Sequence, residues 1–142
     1  MRKILAVICS FIIVFAFCSA VAFHAQEVQA QGPITVSMKV SPNNLVIHSI
    51  GEGDWLTAHV DTPFSEVNCS TLELTILLYD DSIPYKYAKA DLRGDLVAKF
   101  DLSDIKAILT TTDIPETVTL LLCWENKNGV PYCATDIIRV KE

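Results

Sequence analysis

Histidine, glycine and positive charge are all scarce in this chain. There are three histidines, five glycines and 11 Lys and Arg against 17 Asp and Glu, a formal net charge of −6. Beyond the first thirty positions the only histidines are His48 and His59, and neither stands at metal-ligand spacing from a cysteine or an acid. No glycine-rich phosphate loop is present. No C-x-x-C pair supports thiol–disulfide exchange. A surface this acidic repels nucleic acid and anionic lipid headgroups. The acids are dispersed, which suits simple solubility. Low-complexity tracts, internal repeats and an obvious inter-domain linker are also missing.

One long apolar run is present, and it comes first. Met1-Arg2-Lys3 is a short basic start, and Ile4 to Phe23 is apolar apart from Ser10 and Ser19. Small residues follow at Ala20-Val21-Ala22 and again at Val28-Gln29-Ala30. That order describes an export signal over residues 1–30, cut after Ala22 or Ala30. The run is long for a signal, and about 20 apolar residues span a bilayer. An uncleaved anchor is the rival reading, and the chain meets a membrane only in that case. Cys9 and Cys18 follow Ile8 and Phe17, not the small residue that lipidation requires. The expected address is secreted, periplasmic or cell-envelope associated.

From Gln31 onward 112 residues remain, with nine basic and sixteen acidic side chains. That length fits one domain. Residues 31–33 read as a spacer and 34–142 as the domain. Ile34, Val36, Met38 and Val40 alternate with Thr35, Ser37 and Lys39, the period of a half-buried strand. Ser41-Pro42-Asn43-Asn44 is a turn. Further strands are expected over Leu45 to His48, Trp55 to Asp61, Thr71 to Tyr79, Asp95 to Phe100, Thr117 to Trp124 and Tyr132 to Val140. The stretch Gly51-Glu52-Gly53-Asp54 reads as a turn. One helix follows Asp101, which can cap it, with Asp104 suiting the positive helix end. Ile105, Ile108 and Leu109 form its apolar stripe. About seven short strands and one short helix predict an all-β, immunoglobulin-like two-sheet sandwich.

Asn126-Lys127-Asn128-Gly129 lies between two of these strands and carries the Asn-Gly hairpin signal. With Lys127, Asn128 and Gly129 as a three-residue loop, Asn126 closes opposite Val130 and Glu125 faces Pro131. Trp124 then faces Tyr132, and Cys123 faces Cys133. The cysteines fall on a non-hydrogen-bonded pair, with Cα atoms about 4.5 Å apart, within disulfide reach. Pro131 falls where its missing N–H costs no bond within the hairpin. Export permits a Cys123–Cys133 bridge. Cys69 is left over.

Five pieces in order also resemble a known family. They are Val40-Ser41-Pro42-Asn43-Asn44-Leu45, Trp55-Leu56-Thr57-Ala58, Asp95-Leu96-Val97-Ala98-Lys99-Phe100-Asp101, Asn128-Gly129-Val130-Pro131-Tyr132 and Asp136-Ile137-Ile138-Arg139-Val140. Together they resemble a β-sandwich module of secreted bacterial and archaeal proteins that carries a D-x-D-G-D-G-x-P-D-L-x-V-K-F-D loop before a helix. The resemblance implies an acidic calcium loop of alternating oxygen ligands. Here it is degenerate. Only Asp91 and Asp95 remain, because the two earlier acidic positions fall on Tyr87 and Lys89. No calcium, other metal or cofactor is therefore expected: either Lys89 and Asp91 lie in an ordinary surface loop, or a charge pair takes the ion's place and keeps the loop folded without metal.

Catalysis needs a nucleophile, a base and an orienting group within reach of one another. His59 falls on the polar side of its strand and His48 at a strand end, so both read as surface histidines. Cys69 could pair with a histidine, but at the start of a strand it reads as a small apolar residue. Asp80-Asp81 with Asp91 could form a hydrolytic carboxylate pair, although Asp-Asp is ordinary turn chemistry. Arg93-Gly94-Asp95 matches an adhesion tripeptide by chance. Asn68-Cys69-Ser70 matches a glycan acceptor that matters only in a host with that machinery. The aromatics offer more: Trp55, Tyr85, Tyr87 and Tyr132 are candidates to stack on sugar rings or anchor a partner, though Trp55 could instead plug an edge of the core. The sequence thus predicts an exported, non-enzymatic module with a structural or interaction role at the cell envelope. The alternative is a glycan- or protein-binding module using exposed aromatics, and a thiol-redox or hydrolytic enzyme is more distant.

Overall fold

The computed structural model describes residues 31–48, 54–110 and 113–142. The export signal or anchor over residues 1–30 and most of the expected turn at Gly51–Asp54 lie outside the described residues. Among the described residues no helix is long and apolar enough to cross a membrane. Gly32–Glu142 is one compact unit.

Among the described residues the fold is all-β with one α-helix. Nine strands run β1 Ile34–Ser41, β2 Asn44–Val46, β3 Trp55–Pro63, β4 Val67–Ile76, β5 Asp81–Pro84, β6 Tyr87–Ala90, β7 Asp95–Asp101, β8 Thr117–Asn126 and β9 Pro131–Lys141. Helix α1, Leu102–Leu109, follows β7. Asp101 caps it, its Oδ1 accepting from the Ser103 N–H at 2.9 Å. Ile105 and Leu109 are fully buried.

The strands form one curled mixed sheet in the order β5-β4-β8-β9-β1-β3-β7-β6, with β2 also beside β9. Strand β1 is its pivot. Ile34–Ser37 runs parallel to Tyr132–Thr135 of β9, and Met38–Ser41 then pairs antiparallel with Thr57–Val60 of β3. Where β1 parts from β9, the Asp136 carboxylate accepts the Val40 N–H at 2.8 Å. A part-buried backbone donor would otherwise lose its partner there. Strand β2 then resumes the parallel pairing, with Leu45 opposite Val140.

Alternation explains the single core. Leu56, Ala58 and Val60 of β3, Leu96, Ala98 and Phe100 of β7, and Val118, Leu120, Leu122 and Trp124 of β8 are buried in one cluster. Truncating a side chain such as Phe100 would cost about 3–5 kcal/mol.

Among the described residues nine strands stand where about seven are expected. The additions, β5 and β6, are the two edges of the sheet. An edge strand buries little, and β5 buries only Ile83 while β6 buries nothing completely. Neither shows the apolar alternation that reveals a strand. The expected strand over Thr71 to Tyr79 is shifted: it starts at Val67 and ends at Ile76. The N–H groups of Tyr79 and Asp80 both turn back to the Ile76 carbonyl, leaving Leu78 63% exposed.

Candidate functional site

The hairpin between β8 and β9 has the expected register. Glu125 faces Pro131, Trp124 faces Tyr132 and Cys123 faces Cys133. Asn126 Oδ1 accepts the Asn128 and Val130 N–H groups, both at 2.9 Å, and Gly129 takes φ 78°. That left-handed conformation suits glycine. Cys123 and Cys133 form a disulfide with Cα atoms 4.2 Å apart.

The four candidate aromatics divide into two pairs. Tyr132 stacks on buried Trp124, with ring centroids 5.8 Å apart and planes 14° apart. Tyr132 and Tyr85 are half-buried and pack against the core. Trp55 and Tyr87 are exposed, at 42% and 52%. Trp55 stands outside the core cluster.

Trp55 and Tyr87 share one outer face, because ladder partners point to the same side of a sheet. The ladders align Ser41, Thr57, Lys99 and Tyr87 in one row across β1, β3, β7 and β6. The next row is Lys39, His59, Val97 and Lys89. Trp55 stands beyond the first row, opposite Asp101. An open cleft of about 460 Å³ lies on this face. Val97 is its floor, buried yet outside the core cluster. Leu92, fully exposed, forms part of its rim. Among the described residues Lys39, Lys89 and Lys99 make no ion pair.

One end of the face is an acidic turn. Asp91 Oδ1 accepts the Arg93 N–H at 2.8 Å and the Asp95 N–H at 3.0 Å. The Asp95 N–H, together with those of Arg93 and Gly94 and the Arg93 charge, holds the Asp91 carboxyl below its usual range, against the opposing effect of desolvation. Gly94 completes the turn at φ 91°. The Arg93 guanidinium lies 3.1 Å from Asp95, 3.5 Å from Asp61 and 3.8 Å from Asp91. The cation among these acids is thus Arg93, while Lys89 sits in β6 opposite Val97. Its reach was not legible, since Asp61 is 32 positions away in the chain.

The turn does not fit a calcium ion. One Asp91 oxygen is already committed to two N–H donors, and a guanidinium occupies the acidic neighbourhood. Among the described residues no group of three or more His, Cys, Asp or Glu side chains is arranged to hold a metal.

The other candidates stand apart. Cys69 is half-buried and packs against the core, whereas His59 is exposed on the outer face of β3. Asn68, Cys69 and Ser70 lie where the β4–β8 register shifts, and Asn68 Oδ1 accepts from Ser70 Oγ at 2.7 Å. Asp80 and Asp81 end a turn, Asp80 at φ 55°. No protein-family model and no curated protein matches the chain.

Proposed function

We propose that this chain is an exported, non-enzymatic β-sandwich module with an interaction role at the cell envelope. Its contact surface is the outer face of β1, β3, β7 and β6. The observation that carries the reading is the shared exposure of Trp55 and Tyr87 on one sheet face beside a cleft. Exposed aromatics grouped on a rigid scaffold suit the stacking and anchoring that dominate recognition. This favours glycan or protein binding over a purely structural role.

The immunoglobulin-like two-sheet sandwich is the finer form of this proposal. Its support is the single core cluster, to which both arms of the curled sheet contribute. Export is supported by the basic start and apolar run of the sequence, and by a disulfide that an oxidising compartment preserves. The resemblance to the secreted module belongs to the same proposal, in a form that closes its acidic turn with Arg93 and without calcium. A non-enzymatic role is supported by the separation of the core-packed Cys69 from the surface His59.

Glycan-array and envelope pull-down assays test the reading. Binding should weaken about tenfold in Trp55→Ala. Failure of the wild-type protein to bind in both assays would remove the interaction role.

A further inference from the structure

The same face carries Lys39, Lys89 and Lys99 outside any ion pair, on an otherwise acidic domain, and this narrows the ligand. Lys39, His59 and Lys89 fall in one row across four strands, and Lys99 stands in the next. Three strand-to-strand steps of about 4.8 Å separate Lys39 from Lys89, so the row spans roughly 14 Å. That length exceeds a single small anion and suits an extended chain crossing the strands. Trp55 and Tyr87 stand on two strands separated by β7, roughly 10 Å across the sheet, so an extended chain could meet both rings.

We infer that this face binds an extended anionic polysaccharide. Lys39, Lys89 and Lys99 pair with its acid groups, and Trp55 and Tyr87 stack on its sugar rings. The inference rests on the interaction reading above and adds the ligand's chemistry.

Three points favour this occupant. First, the nearby acids leave the lysines free. Asp91 is engaged by backbone N–H groups, and Arg93 lies beside Asp61 and Asp95. Asp101 is drawn to the cap of α1. Second, screening limits each charge to about 8 Å at physiological salt, so a ligand lying on the face meets the lysines before the distant acids. Third, the charge density matches. Duplex DNA would bring roughly eight phosphates over the same 14 Å, at one charge per 1.7 Å, far more than three lysines offset. A glycan with one acid group per sugar is sparser. A protein partner would be expected to seat an anchor in a well-packed pocket, whereas this cleft is open and floored by Val97.

Titration calorimetry of the natively exported protein with polygalacturonate tests the inference. Binding is expected in 50 mM salt and should weaken at least tenfold in 0.5 M salt. The triple variant Lys39→Gln, Lys89→Gln, Lys99→Gln should lose about tenfold or more, and each single variant up to about fivefold, the size of an exposed ion pair. Trp55→Ala should lose about tenfold. Lys127→Gln, in the β8–β9 hairpin, should change nothing. If the triple variant unfolds, the three single variants decide. Equal binding of a fully methyl-esterified polygalacturonate would overturn the anionic ligand and leave the interaction reading standing. Equal or tighter binding of poly-L-glutamate or oligothymidylate would overturn the polysaccharide. Absence of binding to polygalacturonate would overturn the inference, while loss of all binding in the array and pull-down assays would overturn the broader reading.

Discussion

The two arms of the curled sheet are built alike inside and differ outside. The outer face of β1, β3, β7 and β6 carries Lys39, Trp55 and Tyr87 beside an open cleft lined by His59, Lys89 and Lys99. The outer side of β4, β8 and β9 carries Thr75, Leu121 and Thr135 in one row, and the Cys123–Cys133 bridge in another. Ile137, 58% exposed, faces Thr119 there. Inside, both arms alternate buried aliphatics into the same cluster. The inner pattern therefore dictates the fold, and the outer pattern is free to diverge. One arm is braced covalently, and the other displays unpaired charge and aromatic surface.

The contrast is open to attack at several points. The largest effect is expected from the braced arm. Replacing both Cys123 and Cys133 by Ser should cost about 2–3 kcal/mol, the chain-entropy value for so short a loop. The thermal midpoint would fall on the order of 10 °C. Polygalacturonate binding, measured below the new midpoint, should be unchanged, and a change would couple the two arms.

Asp136→Ala attacks the pivot that joins them. It strips the partner from the Val40 N–H, which should cost about 1–3 kcal/mol in denaturant unfolding. Asp136→Asn keeps an acceptor oxygen and should cost less.

Trp55→Ala should move stability by no more than about 0.5 kcal/mol, as for other exposed positions. Its effect belongs in the binding assays. A large stability loss would show that Trp55 braces the fold and would blur the contrast.

The smallest effect is the acid response. Asp91 and Asp101 both have carboxyls held below their usual range. In Asp91 the Asp95 N–H is the leading cause, and in Asp101 the hydrogen bond from the Ser103 hydroxyl. A depressed carboxyl favours the fold above its unfolded pKa of about 3.9. That contribution is lost as pH falls through the lower folded value. The thermal midpoint should therefore lose this contribution below about pH 4, and Asp91→Asn should flatten part of the decline.

Much of the braced arm was legible in the sequence. Asn128-Gly129, Pro131 and the two cysteines all agree on one register, because each constrains the same few backbone positions. The cap at Asp101 and the stripe of α1 are likewise local. Tyr132, expected as an exposed aromatic, is half-buried against Trp124, and the sequence carries the signal for this. With Cys123 and Cys133 outward, alternation turns their neighbours Trp124 and Tyr132 inward. The display arm was harder to read. Its edge strand β6 has no apolar period, and its charged row exists only once β1, β3, β7 and β6 are laid side by side. Lys39 and Lys99 each read as outward-facing, but nothing local says that they share a face. The switch of β1 between partners leaves no local mark either, since the carboxylate that holds it is Asp136, 96 positions away from Val40.

The parallel pairing of β1 with β9 has a mechanical consequence. A pull that separates Ile34 from Lys141 draws these neighbouring strands in opposite directions along their own axes. The ladder is then loaded in shear, so its hydrogen bonds share the force instead of opening one after another. The disulfide ties the start of β9 to β8, so load passes into the sheet interior. A module held at both ends would resist stretching through the same strand that joins its two arms.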